Sequence, residues 1–459
     1  MIGWYIMQKQ KQSGFGSKLG FVLAAAGSAV GLGNIWRFPY LAAKYGGGIF
    51  LLFYIVLAVT FGFSLLITEI AIGRRTGKSV IGAYSDINKH FVPLGWLAAA
   101  VPVIITPYYC VIGGWVLRYL CAFVTGHGEE TAGDGAFFSS FIGQTASPMV
   151  FFLIFLALSV LVVMLGVQKG IERISKVLMP LLVLLTVGIS IYTLMLDGAA
   201  EGLKYYLLPN FSGFTLETCL KTAAAAMGQL FYSMSIAMGI MVTYGSYMRK
   251  EDHLAQSVRQ IEIFDTGIAI LSGLIIVPAV FVFSGGNAGA LNAGPSLMFI
   301  TLPNVFQSMK SGQFIGTAFF VLVALAALTS AISLAETVVS IIMEKFSLRR
   351  IPACFMTFAV CLALGALSVL GYSAWSGVKL FGMQFLDFFD FISNNIMMPI
   401  VSLLTCILIG WVVKTRYIEE EVLVSADKFR DAPLVRIMLR FVCPVCMIII
   451  LLTPFVTGI

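Results

Sequence analysis

The 459 residues predict an all-α, polytopic membrane protein of eleven transmembrane helices: two inverted five-helix halves with broken first and sixth helices, plus one further helix. Three observations carry this. Hydrophobic residues make up 59% and charged residues 11%, with a mean hydropathy of +0.95, whereas soluble domains use roughly 45–50% apolar and 25% charged residues. Eleven apolar runs are long enough to cross a hydrocarbon core about 30 Å thick. They lie near 15–41, 46–73, 91–124, 149–166, 170–196, 217–247, 258–284, 313–346, 351–371, 381–412 and 433–457. Finally, the first and sixth runs, each the opening member of a group of five, are interrupted by glycine together with hydrogen-bonding side chains. The chain reads as one domain over 1–459, with 15–196 as the first half, 217–412 as the second and 433–457 as the added helix.

The first interruption is Gly27-Ser28-Ala29-Val30-Gly31-Leu32-Gly33-Asn34-Ile35-Trp36-Arg37-Phe38-Pro39. In hydrocarbon every backbone N–H and C=O must be satisfied within the protein, so such a break survives only where the freed groups line a cavity or hold a ligand. The sixth run breaks at Gly228-Gln229-Leu230-Phe231-Tyr232-Ser233-Met234-Ser235-Ile236-Ala237-Met238-Gly239. Paired breaks in corresponding helices point to a site at the bilayer midplane. Two unrelated kinks are the plainer reading. In the eighth run Thr329-Ser330 offers two adjacent hydroxyls; alone, such a pair is ordinary helix back-bonding or interhelical glue. Asp265, in the seventh run, is a carboxylate where ionisation is costly, which marks either a functional group or a structural ion pair.

Lys and Arg placement orients the chain. With the N-terminus in the cytoplasm, the inner loops hold Arg74, Arg75, Lys78, Lys169, Arg173, Lys176, Arg249, Lys250, Arg349 and Arg350 among others, while the outer loops hold few. Eleven spans put the C-terminus outside. The net charge of +7 then reports topology and contact with anionic membrane lipid rather than nucleic acid. No soluble domain is appended, and the first span lacks the layout of a cleaved signal peptide. The eight cysteines lie within or beside apolar runs as packing residues, Cys443-Pro444-Val445-Cys446 included, and His90, His127 and His253 fall at loops or helix ends. No nucleophile, base or transition-metal set has enzyme spacing, so the chain is not expected to be an enzyme or to carry an organic cofactor. A channel would need a continuous polar stripe, and the polar groups cluster at the breaks instead.

The stretch GSAVGLGNIWRFPY, followed by Gly46-Gly47-Gly48, resembles the first-helix signature of the neurotransmitter:sodium symporter family, in its bacterial eleven-helix amino-acid transporter branch. The resemblance covers almost the whole chain. It implies a leucine-transporter-like fold, an architecture this family itself exemplifies, and a sodium-coupled symporter importing hydrophobic or aromatic amino acids into a bacterial cell across the inner membrane by alternating access. Transport of small amino acids is the second reading.

By the same resemblance, one sodium is held by Ala29, Asn34, Ser233 and Asp265, and a second by Gly27, Val30, Ala326, Thr329 and Ser330. Chloride-dependent members carry Asn at the place of Asp265, which implies chloride independence here. Monoamine transporters carry Asp at the place of Gly31, so the ligand here should bring its own carboxylate, to lie near Ala29, Gly31, Gly33 and the Tyr108 hydroxyl. The rest of the pocket is carried over as Ile105, Ile112, Tyr232, Ser233, Ser235, Met238, Ser330 and Leu334. The outer gate is carried over as Arg37, Asp390, Tyr232 and Gln229, with Asp387 competing for Asp390's part. The inner gate is Tyr247 with Glu344. Its usual N-terminal Arg and Trp are absent, leaving Lys11 or Lys18 to substitute. Gly170 and Pro180 in the fifth run imply local unwinding that opens a water path to the second sodium. The segment from Gly285 through Asn304 resembles a re-entrant outer loop.

Overall fold

The computed structural model describes residues 14–212, 214–284 and 295–457. Among the described residues, nine helices are long and apolar enough to cross a membrane: Gly48–Thr76, Lys89–Val124, Ala146–Met164, Val167–Leu194, Leu254–Phe283, Gly312–Phe346, Arg350–Tyr372, Phe385–Val412 and Ala432–Thr453. Lys18–Ala29 and Gly33–Lys44, bent by 54° at their break, make one further span. The sixth apolar run forms the interrupted pair Leu216–Ser233 and Ile240–Tyr247. No strand occurs among the described residues, and boundaries fall within a few residues of those read from hydropathy.

The two broken spans occupy the centre. Every residue from Gly20 to Ala29 is buried, as are the side chains through the sixth-span break, whereas the fourth, fifth, ninth and eleventh spans present the larger apolar shares outward. That distribution follows from the solvent: a helix that is apolar on all sides can face lipid, whereas a break with free amides must be walled in by protein. At the first break Val30 leaves helical geometry, with φ −74° and ψ 93°. At the second, Ser235, Ala237 and Gly239 take φ of 54°, 62° and 73°. Two of these are not glycine, so surrounding contacts hold a conformation that L-residues seldom adopt.

The fifth span starts with a π-helical turn, Val167–Glu172, at Gly170, and carries Pro180 inside the helix Arg173–Leu194. Of the proposed outer re-entrant segment, 285–294 lies outside the described residues, while Leu302–Ser308 forms a short helix.

Candidate functional site

The backbone groups freed at the first break find partners within the first span and from three others. Gly31 N–H donates to Asn34 Oδ1 at 3.1 Å, Leu32 N–H to the Tyr109 hydroxyl at 3.4 Å, and Gly33 C=O accepts from Gln229 Nε2 at 3.0 Å. Ser330 Oγ, from the eighth span, lies 3.4, 3.1 and 3.4 Å from the carbonyl oxygens of Gly27, Ser28 and Val30. Thr329 Oγ1, beside it, is 3.0 Å from Ala326 C=O. Residues 27, 30, 326, 329 and 330 therefore converge as a cluster of oxygens with no full charge among them. Ser28 C=O joins them, and Ser235 Oγ reaches it at 3.1 Å.

A second cluster surrounds Asp265, which is wholly buried. Its Oδ1 accepts from Asn34 Nδ2 at 2.8 Å and Ser233 Oγ at 2.7 Å, and its Oδ2 accepts from Tyr54 at 3.4 Å. Among the described residues no Lys, Arg or His pairs with it. Neutral dipoles alone seldom balance a buried carboxylate, so its charge is left for a further partner.

Between the clusters, a side chain on Gly31 would meet Ser330 Oγ at 2.8 Å and the Tyr109 hydroxyl at 3.1 Å, and one on Gly33 would meet the Tyr232 ring at 2.8 Å. Ile105, Ile112, Met238 and Leu334 are all buried.

The structure corrects three expectations. The hydroxyl at the first break belongs to Tyr109, not Tyr108. Tyr108 turns to the tenth span, 3.4 Å from Ser393 Oγ and accepting from Asn394 Nδ2 at 3.3 Å. Consecutive helical residues point about 100° apart, so a shift of one position sends the side chain to a different neighbour.

Second, Tyr247 meets Glu336 rather than Glu344. Its hydroxyl donates to Glu336 Oε1 at 2.7 Å, and Arg350 clasps the same carboxylate from the ninth span at 2.6 and 2.9 Å. Glu344 instead accepts from Ser79 N–H. Two helical turns, about 12 Å, separate the two glutamates, and only the deeper one reaches the sixth span. Third, Lys18 donates to Gln256 Oε1 at 2.6 Å and does not stand in for a gate arginine; Lys11 lies outside the described residues.

At the outer end Arg37 lies over the Tyr232 ring, 5.5 Å from its centroid. Asp390 accepts from Asn394 Nδ2 at 2.6 Å and forms no direct ion pair with Arg37. Asp387 is taken up by the Tyr372 hydroxyl at 2.9 Å.

Two carboxylates escaped the sequence reading. Glu69 accepts the Ala237 N–H at 2.7 Å and so caps the strained second break, and Glu336 holds Tyr247 and Arg350 together. Both interrupt apolar runs, the signal that singled out Asp265.

A model of the sodium:neurotransmitter symporter family matches residues 12–128 and 138–458. The chain belongs to that family. It is a sodium-dependent, multi-pass transporter and not an enzyme, as the family is. Among relatives, an uncharacterised sodium-dependent transporter of Bacillus subtilis is 38% identical over 88% of each chain. One from Haemophilus influenzae is 32% identical over 97% of this chain and 98% of its own. The human sodium- and chloride-dependent GABA transporter 2 is 24% identical over 74% of this chain and 64% of that one. The solved structure of MhsT in complex with L-phenylalanine superposes with a TM-score of 0.85 at 35% identity, covering 96% of this chain and 99% of that one.

Proposed function

We propose that this symporter imports hydrophobic or aromatic amino acids with two sodium ions and without chloride. The observation that carries the proposal is Asp265: a wholly buried carboxylate with three neutral donors and no cationic partner among the described residues. Its fixed negative charge balances a cation beside it, the part that chloride would otherwise help play. In this reading the first sodium takes Asp265, Asn34, Ser233 and the Ala29 carbonyl. The second takes the carbonyls of Gly27, Val30 and Ala326 with the hydroxyls of Thr329 and Ser330, hard oxygen ligands suited to a hard cation. Each sodium entering down about 100 mV gains roughly 2.3 kcal/mol, and a zwitterionic substrate adds no net charge.

The substrate class rests on Gly31, which offers no charge to an amine, and on the apolar residues Ile105, Ile112, Met238 and Leu334. The phenylalanine bound by the similar MhsT supports it. The substrate carboxylate lies near Gly31, Gly33 and Tyr109, and Ser235, Tyr232 and Ser330 border the side chain. Arg37, Tyr232, Gln229 and Asp390 close the outside; Tyr247, Glu336 and Arg350 close the inside. Residues 15–196 and 217–412 act as inverted halves in the cytoplasmic membrane, the N-terminus inside and the C-terminus outside, following the Lys and Arg distribution.

The test is uptake of labelled phenylalanine into proteoliposomes under sodium or choline gradients; uptake without sodium would reject the reading. Competition decides the substrate class. Tyramine and tryptamine are expected to compete about a hundredfold more weakly than tyrosine and tryptophan, because without the carboxylate both the cation and the Tyr109 hydroxyl lose a partner. Equal potency would reassign the substrate class.

A further inference from the structure

The first and fifth spans touch in parallel register at two glycines seven residues apart. Gly20 packs directly against the carboxyl of Glu172, leaving no space for a side chain. Gly27 packs against Met179, whose sulfur would lie 3.2 Å from a Cβ at that position. Glu172 and Met179 are also seven apart, two turns along one face. The upper contact adjoins the hydroxyl cluster, for the same Gly27 Cβ would stand 3.3 Å from Thr329 Cβ.

The lower contact is a charge-assisted clasp. Glu172 Oε2 accepts Gly16 N–H at 2.6 Å, and Oε1 accepts Ser17 Oγ at 2.8 Å and Lys176 Nζ at 2.6 Å. Ser17 Oγ in turn accepts Gly20 N–H at 3.1 Å as the cap of Lys18–Ala29, so one carboxylate secures the start of the first span. Gln168 Nε2, from the same turn, donates to Gly14 C=O at 2.8 Å. Glu172 itself ends the π-helical turn Val167–Glu172, where Gly166 has φ 88° and Gly170 fits closely under the Val162 carbonyl. The clasp is therefore anchored in the least regular turn of the fifth span, and it cannot hold if that turn unwinds.

Resting on the sodium reading of the Thr329–Ser330 cluster, we propose that Glu172 is a positioning residue that couples that site to the cytoplasmic side. With sodium bound, the Gly27 and Val30 carbonyls hold the first span in place, Gly27 stays against Met179, and Glu172 keeps residues 14–20 fastened. When sodium leaves, the Gly27–Met179 contact loosens, the 167–172 turn unwinds, and Glu172 releases the start of the first span. The two movements are then one event, because a single carboxylate belongs to both.

Hydrogen–deuterium exchange on the full-length protein, with and without sodium, tests this. In the wild type, sodium is expected to slow exchange at 15–24, 166–172 and 326–333 together. Glu172→Gln keeps the shape but removes the charge; it should speed exchange at 15–24 about tenfold in sodium and abolish the sodium effect at 166–172, while 326–333 remains protected by sodium. Gly20→Ala, which displaces the carboxyl without altering its charge, should do the same. Wild-type rates at 15–24 in both variants overturn the proposal, as does sodium protection of 326–333 in the wild type with no change at 166–172. Failure of the sodium reading gives a different pattern: no sodium effect at 326–333 even in the wild type.

Discussion

Alanine at both Thr329 and Ser330 is expected to abolish sodium-driven uptake, a loss of at least about a hundredfold. That is the scale of leaving a buried charge without its partner groups. The two hydroxyls stand among the carbonyls of Gly27, Ser28, Val30 and Ala326, and alanine puts no oxygen in their place. The fold should tolerate the change. Thr329 bonds back to Leu325 and Ala326 within its own helix, a contact that alanine gives up at little cost. Reconstituted protein with unchanged thermal stability and no sodium-dependent uptake is the expected result; unaltered sodium dependence would remove these residues from the site.

Asp265→Asn is expected to have an effect of similar size by a different route. The amide keeps the volume of the carboxyl but loses its charge: its oxygen still accepts from Asn34 and Ser233, while an NH2 group takes the place of the oxygen that faces Tyr54. Uptake should fall about a hundredfold or more, with the loss appearing as a raised sodium requirement rather than misfolding. Wild-type uptake should in turn be nearly unchanged when gluconate replaces chloride, since the fixed negative charge is built into the seventh span. A strong chloride requirement in the wild type would overturn the role given to Asp265.

Much of the site was legible because membrane burial makes polarity conspicuous. Gly31, Asn34, Ser233, Asp265, Thr329 and Ser330 stand out against runs in which almost every other residue is apolar, and the structure brings all six into two adjoining clusters. Glu69 and Glu336 carry the same signal. The gate partners were less legible. Which carboxylate meets Tyr247, and which of two consecutive tyrosines reaches the first break, depends on helix rotation and on depth along neighbouring helices. Those are set by packing between spans distant in the chain.

The sequence by itself determined the class, the rough limits of the apolar helices and the two breaks, because hydropathy and glycine act locally and a bilayer penalises every unpaired polar group. Only the tertiary structure decided that Tyr109 rather than Tyr108 faces the break, that Glu336 and Arg350 rather than Glu344 receive Tyr247, and that Gly20 and Gly27 seat the first span on Glu172 and Met179. One helical position turns a side chain by about 100° and two turns move it by about 12 Å, and no local rule specifies against which neighbour those rotations and depths are measured.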